Sequence, residues 1–165
     1  MKKLLYLTLL LPLMMGCSSI GDNSEKNIAL VEKYIAGVEN LDYDIMGSIL
    51  ADDYLGLGPS YGDSIGKAQA IENWKLNVET LYELIEYQRS RNTAVTITTG
   101  DNQGEWVSNW AELYIEYKND GGAVTIWANT TYRIENMQIV KSYTFYNEAD
   151  ALRQLGYVFY NPNDL

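Results

Sequence analysis

The chain contains no histidine. That removes any Ser-His-Asp or Cys-His nucleophile system, because both need an imidazole to carry the proton. It contains one cysteine, Cys17, so no disulfide can form within the chain. Without imidazole, and with one thiol, a zinc or other transition-metal site lacks its usual donors. The expectation is therefore no metal and no cofactor. Cations are scarce: Lys and Arg total 12 against 22 Asp and Glu, a net charge of −10. Nucleic acid is a poor partner for such a chain, since its binding rests on cationic neutralisation of phosphates. Adhesion to anionic lipid is disfavoured for the same reason. Long apolar runs are also lacking. The stretch Leu4–Met15 spans 12 residues, with Thr8 and Pro12 inside it. A helix needs about 20 apolar residues to cross a bilayer core. Any chemistry must use Asp, Glu, Tyr, Lys or water.

What is present begins with that short run. Lys2 and Lys3 precede it, and Gly16 and Cys17 follow it. This is the layout of an export signal with a small residue at the cut site. The segment LMMGC resembles the lipobox of bacterial lipoproteins. The resemblance implies cleavage before Cys17, a diacylglycerol on its sulfur and an acylated new N-terminus. Two or more acyl chains hold a protein at a membrane where one is marginal. An ordinary secretory signal with an incidental cysteine is the other reading. Ser18 after Cys17 resembles lipoproteins sorted to the outer membrane of a two-membrane bacterium. Loss of residues 1–16 takes Lys2 and Lys3 away, moves the net charge from −10 to −12, and leaves 149 residues of the 165. That is the size of one domain, able to bury a single core.

Ser18 to Ser24 is small and polar and reads as a flexible tether. A helix is predicted from Glu25 to Val38, with Ile28, Val31, Ile35 and Val38 at helical spacing. A second covers Tyr43 to Leu50, capped by Asp42, with Ile45, Ile49 and Leu50 inward. Residues 52–63 hold three glycines and a proline and read as a strand fragment and loops, with Asp52 and Asp53 closing the second helix. A long helix follows from Lys67 to Leu84, its stripe made by Ala70, Ile71, Trp74, Val78, Leu81 and Leu84. After Ile85 the period changes from about 3.6 to 2. Strands are predicted at Glu86–Asn92, Ala94–Thr99, Glu105–Lys118, Ala123–Glu135 and Gln138–Asn147. The connectors GDNQG, NDGG and ENMQ carry turn chemistry. Helices first and an antiparallel meander after them make an α+β domain, residues 25–165.

Alternation along Glu105–Tyr117 separates two faces. Val107, Asn109, Ala111, Leu113, Ile115 and Tyr117 form the more apolar face, which should meet the helices. Trp106, Ser108, Trp110, Glu112, Tyr114 and Glu116 form an amphipathic, aromatic outer face. Large aromatics are enriched in interfaces. Trp106, Trp110, Tyr114 and Trp127 are therefore candidates for contact with a partner or a second copy, a possible homodimer. Scattered surface aromatics are the plainer reading in a chain with 14 tyrosines.

This order resembles the nuclear-transport-factor-2-like cone, the superfamily of SnoaL-like polyketide cyclases and ketosteroid isomerases. The similarity runs from Glu25 to Gly156. VEKYIAGVENLDYDIMGSILADDY resembles the opening helix pair and its acidic close. IGKAQAIENW resembles the start of the third helix. YRIENMQIVKSYTFYNEADALRQLG resembles the last two strands and the tail. The resemblance implies three N-terminal helices packed on a curved, mostly antiparallel sheet, with a pocket between them. In the isomerases a carboxylate base moves the proton while a tyrosine and a protonated aspartate hold the dienolate oxygen. By resemblance Tyr34 takes the place of that tyrosine, Gly58 the place of the base, and Thr130 falls near the aspartate. Glycine abstracts no proton. The cyclases and scytalone-dehydratase-like enzymes lean on histidine, which this chain lacks. Tyr34 is the one catalytic candidate.

By the same resemblance Tyr34 and Trp74 face the pocket. Thr130, Tyr132, Ser142, Thr144 and Tyr146 share the inward parity of its last strands. Rings for area and hydroxyls for direction suit a small apolar or amphipathic ligand. The competing reading is a filled core with tyrosine hydroxyls at its rim. The function expected is non-catalytic binding by a lipid-anchored envelope protein. An enzyme with a non-standard site and an interaction scaffold are the alternatives.

Overall fold

The computed structural model describes residues 23–164. Cys17, the leader and most of the tether lie outside that range, and no helix within it is long and apolar enough to cross a membrane. Helix α1 runs from Ser24 to Glu39, and buries Val31, Tyr34, Ile35 and Val38 at the expected spacing. Asn27, in its second turn, is buried too, and donates to the Glu105 carboxylate at 2.7 Å. Helix α2, Tyr43–Ile49, starts where Asp42 accepts the Ile45 backbone N–H at 2.8 Å. That side chain satisfies one of the orphan donors of a first turn. Met46 is its most enclosed residue, whereas Ile45 is half-buried.

Strand β1 spans Leu50–Leu57. Leu50 is thus the first strand residue, not the last of α2. Asp52 and Asp53 do not close a helix either; both are exposed on β1. Asp52 reaches Lys67 at 2.9 Å. Strand β2, Ser64–Gly66, pairs back on β1. Helix α3 runs from Lys67 to Thr80, shorter than the apolar stripe suggests. Its last carbonyls, on Val78 and Glu79, accept the Lys118 ammonium at 2.8 and 3.3 Å. A cation at a helix C-terminus is favoured by the helix dipole. Leu81 ends the helix and is exposed; Leu84 belongs to the next strand.

Strand β3, Tyr82–Ile97, is one 16-residue strand where two short ones were expected. Its pairing with β4 slips between Gln88 and Arg91, where Arg89 has φ +49°. A bulge of this kind bends a strand without ending it. The buried Asn109 amide holds it, donating to Ser90 Oγ at 2.8 Å and Asn92 Oδ1 at 3.0 Å. Strands β4 (Gly104–Tyr117), β5 (Ala123–Glu135) and β6 (Gln138–Tyr146) form the expected meander. The sheet order is β2-β1-β6-β5-β4-β3, with β1 and β6 parallel and the other pairs antiparallel. A fourth helix, α4 (Glu148–Gln154), follows β6, capped by the Asn147 side chain, which accepts from Asp150 N–H at 3.1 Å.

Val31 and Val38 of α1 and Met46 of α2 meet Val107, Ile126, Ile134 and Ile139 of the sheet in one core. Each such side chain, fully withdrawn from water, contributes about 1.5–3 kcal/mol. The helices cover one face of the bent sheet, and the sheet curves round them as a cone.

Candidate functional site

Cross-strand register fixes which residues look into the cone. Val107, Tyr132 and Ser142 stand side by side on β4, β5 and β6. Asn109, Thr130 and Thr144 form the next row, then Ala111, Ala128 and Tyr146. Leu113 with Ile126 and Ile115 with Val124 complete the face. Directly paired residues share one face of a sheet, so every one of these points at the helices.

Between that face and the helices lies a cavity of about 520 Å³. This is the scale of small-molecule sites, which run from about 300 to 1,000 Å³. Helix α1 contributes Tyr34 and Val38, and α3 contributes Ala70, Asn73, Trp74 and Asn77. All seven residues expected at a pocket lie on its lining: Tyr34, Trp74, Thr130, Tyr132, Ser142, Thr144 and Tyr146. The space is not filled by core side chains. Four further tyrosines line it: Tyr54 from β1, Tyr82 and Tyr87 from β3, and Tyr117 from β4. Sequence reasoning passed over them for local reasons. Tyr54 sat in a segment read as a strand fragment and loops, and Tyr82 in one read as helix. Parity alone could have found Tyr117, which shares the face of Leu113 and Ile115. Helix α4 closes one side with Ala151, Leu152 and Leu155. The exposed lining residues, Gly58, Asn73, Leu81, Tyr146 and Glu148, mark the mouth.

The rings touch one another. Tyr34 meets Tyr132 edge to face, with centroids 5.7 Å apart. Tyr82 lies 5.9 Å from both Trp74 and Tyr117. Tyr54 and Ser142 share a buried hydroxyl hydrogen bond of 2.7 Å, and Thr130 and Thr144 a part-buried one of 3.3 Å. Burial pushes the Tyr34 hydroxyl far above its ordinary value, with Tyr54 and Tyr87 adding to the effect. Burial does the same to Tyr87 and Tyr132, and raises Tyr82 to about 12. A phenol that stays protonated donates hydrogen bonds and is no general base at neutral pH.

The other catalytic positions are equally unsuited to proton abstraction. Gly58 has φ +93°, and a Cβ there would collide with the Thr144 carbonyl oxygen. A carboxylate cannot enter at this position without moving β6. Glu148, at the mouth, is the single lining residue of the described chain that is charged at neutral pH. Among the described residues no three Asp, Glu or Cys side chains converge as a metal site would require.

On the outer face, Trp110 and Trp127 are exposed, at 43% and 68%, and Tyr114 is half-buried. Trp106 is a correction to the expected interface. Its indole stacks on Tyr143 at 6.1 Å and donates its N–H to the Asn102 carbonyl at 2.8 Å, which leaves it 3% exposed. A ring buried by its own sheet cannot contact a partner. Glu112 is held across the strands by Arg89 at 3.0 Å.

No family model matches the chain, and no curated protein matches it. Solved structures do resemble it. A candidate polyketide cyclase of Xanthomonas campestris is 17% identical, with a TM-score of 0.65 over 81% of this chain and 98% of its own. A protein of Catenulispora acidiphila with a ketosteroid-isomerase-like fold, solved with trimethylamine, is 17% identical, with a TM-score of 0.58 over 78% of this chain and 93% of its own. An epoxide hydrolase of M. tuberculosis of the LEH-like type is 14% identical, with a TM-score of 0.58 over 81% of this chain and 91% of its own. At such identities the likeness speaks to architecture. The fold is the nuclear-transport-factor-2-like α+β cone, with four helices on a curved, mostly antiparallel six-stranded sheet.

Proposed function

We propose that this protein binds a small apolar or amphipathic molecule in its cone and does not transform it. The observation that carries this reading is the lining itself. A space of about 520 Å³, open at its mouth, is walled by tyrosines held protonated, threonines and aliphatic side chains. Rings and aliphatic groups supply apolar area, and the hydroxyls supply direction. An isomerase, cyclase or dehydratase would need an ionised base inside, and the one lining carboxylate among the described residues is at the rim. Neighbours of the same fold include both enzyme-named chains and a chain solved with trimethylamine, so the fold itself does not choose between them.

N-phenyl-1-naphthylamine, a neutral dye that brightens in apolar sites, tests the proposal. Purified protein should take it up saturably at one site per chain. Ala128→Phe, which places a ring in the cavity from β5, should weaken that uptake at least tenfold while leaving the circular dichroism spectrum unchanged. Absence of saturable uptake by the unaltered chain would overturn the reading.

The proposal includes a place of work. The leader and Cys17 support an anchor by lipid in the cell envelope, at the outer membrane of a two-membrane bacterium. Cys17→Ala should move the protein from the membrane fraction to the soluble one; retention with membranes would refute the anchor. We also include self-association through the outer sheet face, with Trp110, Tyr114 and Trp127 as its aromatic residues.

A further inference from the structure

The cavity is aromatic to an extent that its size does not require. Among the described residues, eight that line it carry rings, seven tyrosines and Trp74. Its lining also has a sign. No lysine or arginine of the described chain lines it, while Glu148 stands at the mouth. The nearby cations are turned to other work. Lys118 is bound to the carbonyls of Val78 and Glu79. Arg153 lies over the Phe159 ring, 5.6 Å from its centroid. The whole chain carries −10 and has no histidine to gain charge at mildly acid pH.

These features separate three ligand classes. An anion would enter a low-dielectric space with no cation to meet it, against the field of an acidic protein. A neutral apolar molecule would gain from burial but would use neither the ring electrons nor the carboxylate. A monovalent organic cation would use both. Ring faces attract cations, by about 0.5–1 kcal/mol when exposed and by about 2 or more when desolvated. Phenolic oxygens offer lone pairs beside them, and the negative field steers a cation to the mouth. Threonine and tyrosine hydroxyls would direct a polar end.

We infer that the ligand of this cavity is an organic cation with apolar substituents, of the alkylammonium or quaternary-ammonium class, held among the rings of Trp74, Tyr82, Tyr117 and Tyr146 with Glu148 at the entrance. The inference rests on the binding proposal above and names the chemical class that the site selects.

The test is a matched pair that differs in charge and hardly at all in shape: choline and its neutral carbon isostere, 3,3-dimethylbutan-1-ol. Each is titrated against protein loaded with N-phenyl-1-naphthylamine. Choline should displace the dye at a concentration at least tenfold lower than the isostere. Tyr146→Leu, at the half-exposed mouth where folding is least at risk, should weaken choline at least fivefold and leave the isostere within twofold. Glu148→Gln should weaken choline about threefold and the isostere not at all. Dye uptake with the isostere competing as well as choline, or with neither competing, overturns the cationic class and leaves the cavity reading standing. No dye uptake at all removes the cavity reading and this inference with it. The dye arm and the charge arm thus fail separately.

Discussion

At the scale of single residues, Gly58 and the buried phenols decide what the cone can do and where it is stable. Gly58 adopts φ +93° with the Thr144 carbonyl where a Cβ would sit. A non-glycine residue in such backbone costs about 1–3 kcal/mol even before the collision is counted. Gly58→Asp should therefore lower the urea midpoint, by an amount equivalent to at least about 1 kcal/mol, and should not isomerise a Δ5-3-ketosteroid. A stable, active Gly58→Asp variant would show that only the side chain was missing. The buried phenols are the second case. Tyrosines of the unfolded chain ionise near pH 10. In the fold, burial holds Tyr34 and Tyr132 protonated well past that value, and Tyr82 to about 12. Above about pH 10 the unfolded chain thus binds fewer protons than the folded one. Stability is complete below the unfolded value and falls as pH rises toward the folded values. Each such tyrosine steepens the loss by about 1.4 kcal/mol per pH unit. Urea midpoints at pH 8, 10 and 11 should drop sharply between the last two, less so in Tyr132→Phe. An even midpoint up to pH 11 would count against the burial of these hydroxyls.

At the scale of elements, legibility followed the length and regularity of the pattern. Strands β4, β5 and β6 were read to within a residue at each end because each alternates without interruption between clear turns. The resemblance implied an inward parity for Thr130, Tyr132, Ser142, Thr144 and Tyr146, and the register gives them that face. The boundary between α3 and β3 was misread because two periods overlap there. Leu81 and Leu84 continue the helical spacing of α3, yet Tyr82 pairs with Tyr117 and Ile85 with Ile115 as strand. Local spacing cannot report that Lys118 caps the helix from 38 residues beyond Thr80. Strand β3 was divided at Thr93, yet Thr93 pairs with Ser108 in unbroken register, and the pairing slips earlier, between Gln88 and Arg91. The side chain that stabilises the bulge, Asn109, lies on the neighbouring strand. Helix α4 escaped notice although Asn147, Glu148 and Asp150 are start signals for a helix. Seven residues are too few to show a periodic face, and its apolar residues Ala151 and Leu152, with the C-cap Leu155, acquire meaning only against the cavity they close.

At the scale of the whole molecule, the outer face has a polarity that constrains how two copies could meet. Parity and register place Lys141 near one end of it, beside Arg133, which is itself paired with Glu135 at 2.7 Å. Trp110, Asn129 and Phe145 cross its middle, and Glu86 and Glu116 lie toward the other end, where Glu112 is paired with Arg89. Two such faces can pair about an in-plane two-fold axis that runs along the strands or across them. An axis along the strands would set the basic end on its own copy and the acidic end on the other. An axis across the strands sets each basic end over the partner's acidic end, with Trp110 and Phe145 near the centre. Like charges face to face cost affinity and opposite charges fix register, so the second arrangement is the one this surface suits. A stable interface buries about 1,200–2,000 Å² in all, with aromatic anchors at its core. Trp110→Glu puts a carboxylate at that core without disturbing the cavity on the opposite face of the sheet. Sedimentation velocity should show a dimer for the unaltered chain and a monomer for Trp110→Glu, while uptake of N-phenyl-1-naphthylamine per chain stays within twofold. High salt should weaken the dimer, because the charged ends lie at the rim where screening acts. An unaltered chain that sediments as a monomer at tens of micromolar would leave Trp110 and Trp127 as solvent-facing residues and remove the two-fold pairing.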